Sequence, residues 1–165
     1  MADQARRTFL QQSAATVAAT TALAHVATVA TAAPTSKSAN DKLNVALIGC
    51  GGRGTNVATR FKAVPNVELV AVCDVDASRR EAVAKNLGVP ANRALSDMRK
   101  VLDDKTIDAV IVATPDHWHS PAAVLACDAG KHVYVEKPIS HNLRESRLLV
   151  EAAKRNKAFV QHGTQ

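Results

Sequence analysis

Six residues, Gly49-Cys50-Gly51-Gly52-Arg53-Gly54, constrain the fold more than any other part of the chain. They spell G-x-G-x-x-G directly after an apolar run, Leu43–Ile48, and directly before a helical pattern, Arg53–Ala63, with Val57, Ala58 and Phe61 on one side. A strand that turns through glycines into a helix leaves that helix with unpaired N–H groups and a partial positive charge, a ready seat for phosphate. The first glycine permits the tight turn, the second lets backbone approach a pyrophosphate, and the third lets helix and strand pack closely. Gly49, Gly51, Gly52, Arg53 and Gly54 are therefore candidate cofactor-binding residues. Arg53 either adds a charge there or is a solvated side chain.

A dinucleotide site of this kind needs an acid at the end of the next strand. Asp74 ends the apolar run Val67–Cys73, and its carboxylate there would accept from an adenosine ribose and repel a 2′-phosphate. That favours NAD over NADP, although Arg79 and Arg80 just beyond offer charge for a phosphate. Further on, strands at Ile107–Ala113, His132–Val135 and Ala158–Gln161 alternate with helices at Ala77–Leu87, Ser120–Ala129 and Asn142–Asn156. Arg93–Leu95 reads as a short edge strand, with Ser96 or Asp97 capping a helix through Leu102. Pro121 in the first turn and Gly130 past the end bracket the Ala-rich helix. Alternating β and α with non-alternating apolar strands predicts an α/β fold, a Rossmann-type doubly wound parallel sheet covered on both faces.

The N-terminal 33 residues read as an address. Arg6-Arg7 precedes Phe9-Leu10, an Ala/Thr/Val stretch without acids follows, and Ala30-Thr31-Ala32 offers a small-x-small cleavage site. The paired arginines resemble a twin-arginine (Tat) export signal, with Ala5 and Gln11 departing from its usual flanks. A retained anchor and a plain disordered Ala/Thr tail are the rival readings; the stretch is long enough to span a bilayer, but its Thr residues and His25 weaken the drive to stay there. The expectation is a Tat-like signal over 1–33, a linker over 34–42, export to the periplasm and no stable membrane anchor. A formal charge of +6 scattered along helix faces, with aromatics at 3%, gives no nucleic-acid footprint. Cys50, Cys73 and Cys127 lack metal spacing, so no metal site is expected. A Cys50–Cys73 bridge competes with the reading of small buried thiols.

Two more segments fall at strand ends, where open α/β sheets bind ligands: Thr114-Pro115-Asp116-His117-Trp118-His119 and Glu136-Lys137-Pro138. The order GxGxxG, CDVD, ATPDHWH and AGKHVYVEKP resembles the N-terminal NAD-binding domain of the Gfo/Idh/MocA oxidoreductases, over essentially all of 43–165. The resemblance implies that Lys137 is a catalytic lysine beside nicotinamide and substrate hydroxyl, where an ammonium can relay a proton. It implies that Thr114, Pro115, Trp118, Glu136 and Lys137 line the cofactor, that His119 takes a cofactor-lining and catalytic part, and that His117 faces nicotinamide or substrate. Alternatives from the residues themselves are a solvated Lys137 and a helix-capping His119.

The resemblance implies a second α/β domain that shapes the substrate pocket and the oligomer interface, and the expectation is that residues 43–165 hold only the first. The expected function is the NAD-binding domain of an exported oxidoreductase moving hydride between nicotinamide and a sugar, cyclitol or related polyol, with a homo-oligomer for the full-length member. The alternatives are an NAD-dependent glycosidase of related fold, in which the EKP lysine tends to be replaced, and a truncated non-catalytic nucleotide-binding module.

Overall fold

The structure is a computed structural model and describes residues 42–165; the expected leader and most of the linker lie outside the described residues. Six strands form one parallel sheet in the order β3-β2-β1-β4-β5-β6. The strands are β1 (Leu43–Ile48), β2 (Val67–Cys73), β3 (Ala94–Leu95), β4 (Ala109–Val112), β5 (His132–Val135) and β6 (Val160–His162). The helices are α1 (Gly52–Lys62), α2 (Ala77–Leu87), α3 (Met98–Asp103), α4 (His119–Asp128) and α5 (Leu143–Asn156). Asp116–Trp118 forms a 3₁₀ turn that runs into α4.

Successive strand residues point to opposite faces, so a run that is apolar at every position fills two cores. Val45 and Leu47 pack with Val57, Ala58, Val83 and Leu87 on the α1–α2 face. Ala46 and Ile48 pack with Leu102, Ala122, Ala126, Leu149 and Ala152 on the face of α3, α4 and α5. Both layers are buried, which is why the predicted doubly wound α/β architecture holds. An irregularity opposite Val45/Ala46 gives β2 one extra residue before Cys73.

Local chemistry sets the helix ends. Asp76 caps α2 by accepting from the N–H groups of Ser78 and Arg79, and Gly88 closes it in the left-handed conformation at φ 71°. Asn142 caps α5 through Glu145 N–H at 3.0 Å, and the Glu145 carboxylate reaches back to His141 N–H at 2.9 Å. The last strand begins two residues later than the apolar pattern predicts. Lys157 ends α5 in a left-handed turn, and the Ala158 N–H is taken by Ala153 O before β6 can start.

The chain order reverses between β1 and β4. At such a point the loops after neighbouring strands diverge to opposite faces and open a crevice at the carboxyl edge of the sheet. Every candidate site residue lies along that edge.

Candidate functional site

The glycine loop leaves β1 with Gly49 at φ +101°, a conformation side chains resist, and a Cβ there would overlap the Ala113 carbonyl. At Gly54 a Cβ would overlap Gly49 O, so α1 packs on the loop only through glycine. Gly51 and Gly52 have nothing within 4 Å of where a Cβ would stand. Among the described residues no side chain caps α1, in contrast to α2, α3 and α5, and no acid occupies its first turn. The N-terminus of α1 thus keeps its donors for an anion beside an open space.

Asp74 sits at the end of β2, partly buried, and its carboxylate does two things. Oδ2 accepts from Cys50 N–H at 2.7 Å and Oδ1 from Asp76 N–H at 2.9 Å, so the acid pins the glycine loop while keeping lone pairs free on both oxygens. Arg80 is turned away: its guanidinium donates to Asp74 O at 2.9 Å and is 14% exposed. Arg79 pairs with Asp76 at 3.5 Å. Arg80 is thus held on the backbone, while Arg79 lines the cleft with its side chain 63% exposed.

A cleft of about 770 Å³ gathers Gly49, Gly51, Asp74, Thr114, Pro115, His117 and Trp118. Val75 (89% exposed) and Trp118 (46%) present apolar surface near it. Its outer rim is Ser96, Asp97, Met98 and Arg99, with the Arg99 guanidinium forked onto Asp97 at 2.6 Å. Those four were missed from the sequence. The rule that ligands sit past strand ends would have found them, had it been applied to the two-residue β3. The Thr114 hydroxyl oxygen is buried in this region without a partner. An orphaned hydroxyl, two glycines facing open space and an uncapped helix all fit a dinucleotide.

Glu136 and Arg53, both expected at the cofactor site, are paired with each other. Glu136 is buried, and its Oε1 accepts from Arg53 Nε at 2.8 Å and from the Tyr134 hydroxyl at 3.0 Å, with Arg53 Nη2 at 2.6 Å. Burial alone would raise its carboxyl, but the bonds from Arg53, Tyr134 and Lys137 N–H outweigh that and hold it below its usual value. Arg53 keeps its side chain 36% exposed while it pairs with Glu136. It joins the first turn of α1 to the segment after β5. Gly163 completes this cluster, because a Cβ there would stand 2.6 Å from the Tyr134 hydroxyl.

Lys137 follows at the exit of β5, exposed, and among the described residues its ammonium has no partner. His119 is 2% exposed, with Nδ1 2.6 Å from Pro138 O and Nε2 2.8 Å from Thr114 O. A ring so occupied offers neither lone pair nor free N–H to a substrate, so the expected catalytic part falls on no atom of it. It does not cap α4 either; Trp118 holds the cap position, with no side-chain bond. Cys50, Cys73 and Cys127 are free and buried. Cys50 and Cys73 belong to cores on opposite faces, which corrects the disulfide alternative. Burial, helped by Asp74, pushes the Cys50 thiol up to about 12 and that of Cys73 to about 11.

Parallel sheet, glycine loop, strand-end acid and open cleft together define a nucleotide-binding Rossmann domain. Residues 43–164 match the oxidoreductase family with an NAD-binding Rossmann fold known as Gfo/Idh/MocA, and the chain belongs to that family. Glycosyl hydrolase family 109 protein 2 of Shewanella sp. (strain ANA-3) is 33% identical over 166 residues, which is 90% of this chain and 36% of the relative. GenD2 from gentamicin A biosynthesis, solved in complex with NAD, superposes with a TM-score of 0.69 at 32% identity, over 74% of this chain and 34% of that one. The scyllo-inositol dehydrogenase of Lactobacillus casei gives 0.69 at 25% identity, over 75% and 37%. The chain thus spans about a third of the length of these relatives.

Proposed function

We propose that the chain is the NAD-holding domain of an exported oxidoreductase that moves hydride between nicotinamide and a sugar, cyclitol or related polyol. The observation that carries this reading is Lys137. An ammonium without a partner among the described residues stands at a strand exit, between Glu136, fixed by Arg53 and Tyr134, and Pro138, fixed by His119. Nicotinamide supplies the hydride acceptor. The chain supplies the rest: α1 and the glycine loop hold the pyrophosphate, and Asp74 takes the adenosine ribose and favours NAD over NADP. Thr114, Pro115 and Trp118 line the path between these ends. Lys137 Nζ hydrogen-bonds the substrate oxygen and relays its proton as the carbon is oxidised. A solved relative named as an inositol dehydrogenase supports a cyclitol or sugar as substrate. Export through the Tat-like leader and homo-oligomer formation belong to the same reading.

The second reading is an NAD-dependent glycosidase, favoured by relatives named as glycosyl hydrolases of family 109. Lys137 argues against it. Calorimetry with NAD on the chain and on Gly51→Asp tests the cofactor site; equal binding by both refutes the loop assignment. A polyol and cyclitol panel, with the chain alone and within the longest reading frame containing it, tests the chemistry by NADH formation. Release of sugar from aryl glycosides without net NADH would replace the dehydrogenase reading with the glycosidase.

A further inference from the structure

The β4 and β5 exits separate just where the site begins. Their strand pairing ends at Val112–Val135, and the next main-chain bond, Glu136 N–H to Val112 O at 2.9 Å, is the last between them among the described residues. Beyond it, Thr114 lines the cleft, while Lys137 and Pro138 follow β5 outside that lining. The His119 ring spans this gap, with Thr114 O against one nitrogen and Pro138 O against the other. Its own base is fixed. Ser120, next to it in the first turn of α4, donates its hydroxyl to Glu145 O on α5 at 3.0 Å.

We infer that His119 is a positioning residue: its ring sets the separation of the Thr114 and Pro138 segments and thereby aims the Lys137 ammonium at the nicotinamide half of the cofactor. The inference rests on the NAD reading above. A neutral imidazole carries one N–H and bonds one of two carbonyls at a time; with hydrogen on both nitrogens it bonds both. In either state the ring works on backbone, and its effect reaches the substrate only through Lys137 and Thr114.

The adenosine end is held separately. Asp74 with the Cys50 and Asp76 N–H groups lies on the far side of β1, and none of those bonds involves α4. Loss of the ring therefore weakens one half of a dinucleotide and spares the other, a signature that general destabilisation does not produce.

The test compares NADH with ADP-ribose, which lacks only the nicotinamide, by calorimetry on the wild-type chain, His119→Ala and His119→Asn. His119→Ala is expected to weaken NADH about tenfold, the worth of one to two hydrogen bonds, and to leave ADP-ribose within about twofold. His119→Asn, whose amide reaches one carbonyl, is expected to recover part of the loss and guards against a variant that fails to fold. The methyl ¹³C signal of reductively methylated Lys137, assigned through Lys137→Arg, is expected to shift in His119→Ala. Equal weakening of both ligands, or unchanged NADH affinity, overturns the inference. If the wild-type chain binds no NADH, the cofactor reading has failed, and the Lys137 signal decides alone: unmoved in the variant, it overturns the positioning role as well.

Discussion

Replacing Gly51 by alanine removes nothing that holds the domain together without cofactor. Gly51 lies at φ −69° and ψ 173°, extended backbone open to any residue, and its missing Cβ would meet nothing within 4 Å. Alanine is a somewhat poorer N-cap than glycine. It also restricts the unfolded chain, which stabilises the native state by about 0.4–1 kcal/mol. The two terms nearly offset, so melting should stay within roughly 2 °C of wild type. Gly49→Ala is a different perturbation. At φ +101° the backbone alone costs about 1–3 kcal/mol. The new Cβ would also overlap the Ala113 carbonyl, whose own residue is tied to β1 by Ala113 N–H to Ile48 O at 2.8 Å. A total of at least about 3 kcal/mol follows, a fall of roughly 10 °C or more. NADH binding is read through Trp118, the one tryptophan of the chain and part of the cleft wall. Gly51→Ala should melt like wild type yet weaken NADH by about thirtyfold, because a methyl group stands where phosphate oxygens approach the helix donors, bonds worth about 1.5–3 kcal/mol each. Full NADH affinity in Gly51→Ala would put the pyrophosphate elsewhere. A melting point as low as that of Gly49→Ala would show that the fold itself needs this glycine.

The Arg53–Glu136 pair should make stability depend on acid. Glu136 titrates below its usual value when folded, so the pair stabilises the protein above the ordinary carboxylate range and that contribution is lost as pH falls through the folded value. In Arg53→Ala, burial acts on Glu136 with one partner fewer; its melting deficit against wild type should be largest near neutrality and close as pH falls through the lowered folded value, and a deficit independent of pH would contradict the account. Lys137→Met should leave melting within about 2 °C, since an exposed, unpaired side chain holds nothing in place. Under the proposed dehydrogenase function, the same change in the longest reading frame containing the chain should cut turnover about a hundredfold at saturating NAD, measured by NADH formation, and a loss confined to KM would instead assign Lys137 to binding. The three buried thiols should resist an aromatic disulfide reagent at pH 8 in the native chain and react together on unfolding; fast native labelling of Cys50 would contradict its burial.

What the sequence revealed and what it hid divide along contact range. Strands such as Leu43–Ile48 and Val67–Cys73 were legible because burial on both faces leaves an unbroken apolar run, and the glycine loop because its chemistry is contained in six neighbouring residues. β6 was misplaced by two residues since Ala158 and Phe159 look like strand. Ala158 is spent on the cap of α5, and Phe159 is 79% exposed. The contacts that the sequence did not reveal at the site are made with distant partners. Arg53 meets Glu136 across 83 positions of sequence, and His119 bridges Thr114 to Pro138. No periodicity or spacing encodes such meetings, because they are set by which strands the doubly wound order makes neighbours.

Asp74 shows how closely fold and cofactor choice are joined in such a site. As a motif residue it reads as a ribose ligand and a deterrent to a 2′-phosphate. In the structure it also fixes Cys50 N–H, and with it the loop that leaves Gly51 facing the open side of α1. A carboxylate proposed to discriminate between two cofactors is thereby also a brace for the glycine loop. A change of selectivity at this position has to supply another acceptor for Cys50. An asparagine can do so through its amide oxygen while removing the charge, whereas a serine or glycine leaves that N–H without its partner. Selectivity and loop geometry can therefore be separated at Asp74 only by residues that keep an acceptor where Oδ2 now stands.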